Sequence, residues 1–390
     1  MSIGTLGEST GALSVAVFLV RIRGWSDRMT RFFLYVAVAA ALALSAGCRK
    51  APDREGPVGR MHRAYFDGER ANWQGESSRP IAATVWYPAA ADSIETDWTV
   101  SVFRFGRSAL DAPFANSPPR PLILLSHGTG GSAAQLSWLA ERLVGEGFLV
   151  AGVNHHGNTA AEDRASPAGF VLPGERARDL SVLIDALLAD PAIAPHIDKE
   201  RIGAAGFSLG GYSALAAVGA HLSFAEHQRR CMGAVDSPAC QLPPEAVFNI
   251  NELRALAAQS PAFQAGIARS AQPVTEARIR AVYAIAPALV TLLEPAELAA
   301  VNSQVRIVLA EQDRQIPMAT TTELLTRGLR QSSQLRIPEA GHYVFLAPCT
   351  LRGRMFLAEL CRDADGIARD DIHARVGRDA AAFFKAQLSP

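Results

Sequence analysis

The residues Gly206-Phe207-Ser208-Leu209-Gly210 place a serine between two glycines, after the apolar run Ile202-Gly203-Ala204-Ala205 and before the alanine-rich run 211–218. A buried strand leading into a packed helix is the expected context. A serine at so tight a strand-to-helix turn needs glycine on both sides, and the helix that follows aims its first amides at any oxyanion formed there. A serine hydroxyl attacks poorly until an imidazole takes its proton and a carboxylate orients that imidazole. Two later segments offer these groups. The run 305–309 reads as a strand with Asp313 just past its end, and 334–337 reads as the next strand, with His342 in the loop beyond it. Taken singly, Asp313 is equally readable as a turn cap and His342 as a loop histidine, and Glu311 is a rival acid. In the order Ser208, Asp313, His342 they form one nucleophile, orienting acid and base, which is the expectation carried forward.

A fourth segment, Ser126-His127-Gly128-Thr129-Gly130-Gly131, follows the apolar run 122–125. Its glycines leave backbone amides open to a ligand. The amides of Thr129 and Leu209 are therefore assigned as the oxyanion donors. No Lys-Ser/Thr follows this loop, which argues against a nucleotide phosphate site. His127, His156, Phe207 and Tyr343 are expected to border the substrate pocket, with His155 and His156 shaping a loop on the pocket side. His221, His227 and His373 read as solvated or packing residues.

These groups need a scaffold that brings strand ends together. Short apolar or β-branched runs at 81–87, 122–125, 148–153, 201–205, 281–286, 305–309 and 334–337 alternate with helical stripes. Leu136, Leu139, Leu143 and Val144 form one stripe behind Ser132, and Leu180, Leu183, Ile184, Leu187 and Leu188 form another that Pro191 stops. Strands buried on both faces and separated by helices predict a doubly wound, mostly parallel α/β sheet, whose functional groups gather at the carboxyl ends of the strands. Residues 221–274 lengthen the connection after the serine and form an expected helical insertion, read either as a lid over the pocket or as a packed subdomain.

The 390 residues hold 38 lysines and arginines against 38 aspartates and glutamates, so no nucleic-acid partner is expected. From Met29, a basic start, an apolar run at 32–46 and Gly47-Cys48 have the parts of an export signal, with a lipobox-like end at Cys48 and translation starting at Met29. Uncleaved anchoring and plain secretion are the other readings. Residues 1–48 are thus expected to be a targeting segment with Cys48 lipidated, 49–78 a polar linker and 79–390 the folded domain. The remaining cysteines pair locally as Cys231–Cys240 and Cys349–Cys361, as an oxidising compartment favours. Four free thiols is the alternative, and the spacings match no zinc pattern.

Trp86-Tyr87-Pro88, Ser126 to Gly131, Asn154-His155-His156-Gly157-Asn158, Arg201-Ile202-Gly203 and Gly206 to Gly211 together resemble the α/β-hydrolases, over residues 80–390. More narrowly they resemble bacterial predicted dienelactone hydrolases related to platelet-activating-factor acetylhydrolases. True dienelactone hydrolases have cysteine where Ser208 stands, and the acetylhydrolases have histidine where Phe207 stands. The resemblance implies the α/β-hydrolase fold and hydrolysis of a small-molecule carboxylic ester through an acyl-enzyme, with no metal or organic cofactor. Peptidase or acyltransferase chemistry on the same residues, and a silent ligand-binding lipoprotein, are the alternatives.

Overall fold

The computed structural model describes residues 56–389 apart from 235, 236 and 247. The expected targeting segment and Cys48 lie outside the described residues. In chain order the structure runs β1 (Val58–Ala71), β2 (Ser78–Pro88), β3 (Thr96–Val100), β4 (Phe103–Leu110), β5 (Arg120–Ser126), α1 (Ser137–Gly145), β6 (Leu149–His155), α2 (Pro167–Val171), α3 (Pro173–Ala189), β7 (Ile197–Phe207) and α4 (Leu209–Ala217). It continues with α5 (Phe224–Met232), α6 (Ile250–Gln259), α7 (Pro261–Ser270), β8 (Ile279–Ile285), α8 (Pro295–Leu298), β9 (Gln304–Ala310), α9 (Met318–Gly328), β10 (Ser332–Ile337), α10 (Leu351–Phe356), α11 (Ala358–Cys361) and α12 (Arg369–Gln387).

The strands form one sheet in the order β10-β9-β8-β7-β5-β6-β2-β1-β4-β3. From β10 to β6 every pairing is parallel, while β2 joins β6 and β1 joins β2 antiparallel. The mostly parallel, doubly wound architecture is thus present. Along β5, Leu122 and Leu124 enter the core on one face and Ile123 and Leu125 the core on the other. Alternation that is apolar on both sides is what a strand covered by helices on both faces requires. Leu180, Leu183 and Leu187 of α3 and Leu215 of α4 cover one face, and Leu139 and Leu143 of α1 with Val376 and Phe384 of α12 cover the other.

The linker expected at 49–78 is corrected from residue 58 onward, where β1 pairs along β2 from Val58 opposite Pro88 to Asp67 opposite Arg79. Three of its charges, which made it read as solvated, lie inside. Arg60 sits 3.9 Å over the Trp98 ring, and Arg70 and Asp67 are buried. Arg70 pairs with Asp67, reaches Asp179 of α3 at 2.7 Å and donates to the Glu175 carbonyl at 3.0 Å. Arg79 of β2 grips the same Asp179 at 2.8 and 3.0 Å. Both expected cysteine pairs are disulfide-bonded, Cys231–Cys240 in the insertion and Cys349–Cys361 after the last strand.

Burial works against ionisation of Asp179, yet Arg79 and Arg70 overrule it and hold its carboxyl well below the usual range. Burial has the opposite consequence for the enclosed imidazoles, pushing His155 and His373 down to about 3. In the unfolded chain these rings take a proton near pH ~6.5. Between there and pH 3 the unfolded chain therefore binds more protons than the native one, so stability falls as pH is lowered through that window. Each histidine contributes about 1.4 kcal/mol per pH unit. Urea unfolding between pH 7 and 4 checks this, with His373→Phe expected to remove one histidine's share of the slope.

Candidate active site

β7 ends at Phe207, and Ser208 turns the chain into α4 with φ 56° and ψ −120°, a conformation that non-glycine residues adopt only under constraint. Its amide donates to the Ile285 carbonyl at 2.9 Å, and its carbonyl accepts from Ala288 at 3.0 Å and Tyr212 at 3.1 Å. The flanking glycines are sterically required. A Cβ on Gly206 would lie 2.1 Å from the Gly210 carbonyl oxygen, and one on Gly210 would lie 1.9 Å from that of Ser126.

The strand exits deliver the other two groups. Asp313 follows β9, and its Oδ1 accepts the amides of Gln315 at 2.9 Å and Ile316 at 2.8 Å. Its Oδ2 lies 2.6 Å from His342 Nδ1, and His342 Nε2 lies 3.0 Å from Ser208 Oγ. With a carboxylate at Nδ1, that nitrogen carries the proton and Nε2 is left to accept the serine hydroxyl. The three side chains are buried, and the Phe207 ring stands 4.8 Å from the imidazole, padding its flank. Glu311, the rival acid, is exposed.

Thr129 and Leu209 both border the cavity that Ser208 faces. Between them lies a link absent from the sequence reading. Arg176 of α3 donates through Nη2 to the His127 carbonyl and through Nε, at 3.1 Å, to Ser213 Oγ, which donates to the Leu209 carbonyl at 2.7 Å. One guanidinium thus ties the loop carrying Thr129 to the helix carrying Leu209. The loop's start is held by a second chain of bonds, in which Ser126 Oγ lies 2.8 Å from His155 Nε2 and His155 Nδ1 lies 2.9 Å from Asp179. Its far side is clasped by the β6 exit, where Asn158 Oδ1 accepts the Gly130 amide at 2.5 Å and Thr159 Oγ1 donates to the Gly131 carbonyl at 3.0 Å. The signal that could have found Arg176 and Asp179 is their place on the otherwise apolar stripe of α3, where charges without partners do not survive burial.

The cavity has a volume of 690 Å³ and is bordered mostly by apolar side chains, including Phe170, Leu209, Leu253 and Ile316. Phe207 and Tyr343 border it. His127, His155 and His156 do not. His127 is buried behind the loop, with Nδ1 against the Gly128 carbonyl at 2.7 Å and Nε2 accepting the His155 amide at 3.2 Å. His156 accepts the Trp73 amide at 3.1 Å and meets Glu162 at 2.8 Å. These rings serve as connectors because each nitrogen finds a partner inside the protein, leaving none for a ligand. The insertion roofs one side of the cavity through Phe224, His227, Leu242 and Glu245, and rests on a small apolar cluster of Trp73, Leu172 and Phe263. It therefore has features of both readings, cover and packed subdomain. Glu245 meets the Tyr343 hydroxyl at 3.2 Å, and burial together with that carboxylate pushes the phenol up to about 12.

No family model matches the chain. Among curated proteins it is similar to a cutinase of Thermobifida alba, with 32% identity over 91 residues, which are 23% of this chain and 27% of that protein. It is likewise similar to a cutinase of Thermobifida fusca, at 31% over 91 residues and 25% of that protein's length. A Moraxella lipase matches at 30% over 109 residues, 26% of this chain and 31% of the lipase. The chain thus spans less than a third of the length of these relatives. A solved ferulic acid esterase from Streptomyces cinnamoneus superposes with a TM-score of 0.59 at 21% identity, covering 87% of this chain and 92% of that one. The shared architecture is the α/β-hydrolase fold.

The contact between Gly210 and the Ser126 carbonyl leaves no room for a methyl group. Gly210→Ala is expected to cost more than about 3 kcal/mol, beyond ordinary overpacking. Thermal unfolding by circular dichroism checks this, with Gly174→Ala, whose added Cβ would meet nothing within 4 Å, as the matched control.

Proposed function

We propose that this chain is a serine hydrolase of small-molecule carboxylic esters. The observation carrying the reading is the continuous line of hydrogen bonds from Asp313 through His342 to Ser208, ending in a cavity that the amide-bearing residues Thr129 and Leu209 also border. In this reading Ser208 Oγ attacks the ester carbonyl as its proton passes to His342 Nε2. Asp313 steadies the imidazolium, and the amides of Thr129 and Leu209 receive the negative oxygen. His342 then returns the proton to the departing alcohol, leaving an acyl group on Ser208. A water activated by the same imidazole releases the acid.

The names of the similar proteins, cutinase, lipase and ferulic acid esterase, all denote ester cleavage and favour it over amide cleavage or acyl transfer. The mostly apolar cavity favours an ester with a sizeable apolar portion. The dienelactone-hydrolase and acetylhydrolase likeness of the motifs adds support for the chemistry and leaves the substrate open. Export belongs to the same reading, supported by the two disulfides and the signal-like residues 29–48, with lipid on Cys48 as its finer form. The mass of the mature N-terminal peptide tests that last point.

Ser208→Ala is expected to reduce hydrolysis of a short-chain nitrophenyl ester by a factor on the order of 10³ or more, and to abolish labelling by a fluorophosphonate. Retained activity overturns the reading. Arg176 acts in it as a positioning residue, so Arg176→Lys, which cannot hold both the loop and Ser213, is expected to lower kcat on the order of tenfold while KM stays within about twofold. Steady-state kinetics on the same ester separates the two parameters.

A further inference from the structure

Large apolar side chains crowd one exposed spot beyond the proposed catalytic groups. On α10 and its C-cap, Leu351 is 76% exposed, Met355 61%, Phe356 71% and Leu357 43%. The segment is firmly built. Thr350 caps α10 by accepting the Gly353 amide at 3.2 Å, and its own amide donates to the Val102 carbonyl at 2.8 Å. The Cys349–Cys361 disulfide closes the segment, Arg362 donates to the Arg354 carbonyl at 2.8 Å, and Arg369 donates to that of Leu360 at 2.9 Å. An ordered cluster of exposed apolar side chains marks an interaction surface.

Shape, charge and position favour one occupant. Met355 and Phe356 point about 100° apart around the helix. Leu351 lies on the Met355 side, and Leu357 continues past the helix end. The result is a knob rather than a flat face, and a six-residue helix cannot supply the ~800 Å² that each partner of a stable protein complex buries. Within 350–362, Arg352, Arg354 and Arg362 are exposed against the one acid Glu359, with Asp365 exposed beyond them. Protruding apolar side chains ringed by arginines suit a fluid anionic interface, where the former enter the acyl boundary and the latter stay with the phosphates. At the inner end of the same segment, Leu360, with Leu346 and Phe103, borders the cavity that holds Ser208.

We propose that residues 350–362 form a docking knob that enters the surface of an anionic phospholipid bilayer and holds the cavity mouth against it. This goes beyond the ester-hydrolase reading and is measured without hydrolysis, so either can fail alone. The test uses the full chain with vesicles of phosphatidylcholine, with and without phosphatidylglycerol. Phe356→Trp is expected to add an emission, over the wild-type background, that shifts to the blue and is quenched by spin-labelled lipid when phosphatidylglycerol is present. Arg352→Gln with Arg354→Gln is expected to weaken that signal about fivefold for each charge removed. Leu351→Ser with Met355→Ser, made in the Phe356→Trp chain, is expected to weaken that signal about tenfold or more. The apolar residues 32–46 are common to every variant, and the reporter at position 356 reads the knob itself. An unquenched, unshifted reporter on vesicle-bound chain overturns the proposal. Dimerisation of the wild type that Phe356→Ser abolishes also overturns it, in favour of a second copy.

Discussion

A buried carboxylate organises the interior of this protein. Asp179 is fully enclosed, so it is tolerable only because Arg79 and Arg70 neutralise it and His155 donates to it. Those partners come from β2, β1 and β6, so one charge on α3 fixes the position of three strands. One turn earlier on α3, Arg176 is buried as well. Burial pulls its guanidinium below its usual range while Asp179 opposes that shift. It answers with bonds to the loop after β5 and to α4. The geometry around Ser208 therefore depends on charge pairing some distance beneath it. Loss of a partner would leave an uncompensated charge in a place that water does not reach.

The same network explains what could be read from the chain and what could not. The central strands were legible because 122–125, 281–286 and 305–309 are apolar on both faces, and few other structures bury such runs. Ser208, Asp313 and His342 could be read as one group because they follow the ends of β7, β9 and β10, and the carboxyl ends of parallel strands lie on one edge of the sheet. β1 was not, because Arg60, Asp67 and Arg70 look solvated in a sequence and are internal in the fold. Composition records charge but not its partner, and the partners here lie more than 100 residues away, as Glu175 and Asp179 do from Arg70. The roles of His127 and His156 were misjudged for a related reason. Proximity to the glycine loop was visible, but the direction of the rings depends on acceptors and donors from Gly128, His155, Trp73 and Glu162.

The insertion adds an asymmetric wall. On one side of Ser208 the cavity is bounded by the glycine loop, whose backbone is held by bonds from Asn158 and Thr159. On the other side it is bounded by side chains of α5 and of the segment between α5 and α6, where Phe224 packs on a cluster with Trp73 and Leu172 and the Cys231–Cys240 disulfide packs on the main core. The first wall is set by backbone hydrogen bonds and admits little variation. The second is set by apolar side chains of the insertion, so its shape can change with sequence while the first stays fixed. In the proposed function, chemistry resides on the first wall and selection among esters on the second.

Two Ser–His–Asp lines stand within this one domain, and their contrast shows what such a line requires beyond its bonds. Ser126, His155 and Asp179 have spacings of 2.8 and 2.9 Å, close to the 3.0 and 2.6 Å of Ser208, His342 and Asp313. The inner line is enclosed, and burial with the nearby Arg176 pushes His155 down to about 3, so the imidazole cannot hold the proton of a serine that attacks. Ser126 is fully buried, whereas Ser208 borders a cavity together with Thr129 and Leu209. A base that resists protonation and a hydroxyl without access are poor catalysts but good structural connectors, since their bonds persist across the physiological pH range. The inner line thus gives the glycine loop a fixed origin, and the outer line has the open face and the amide-bearing neighbours that nucleophilic chemistry demands.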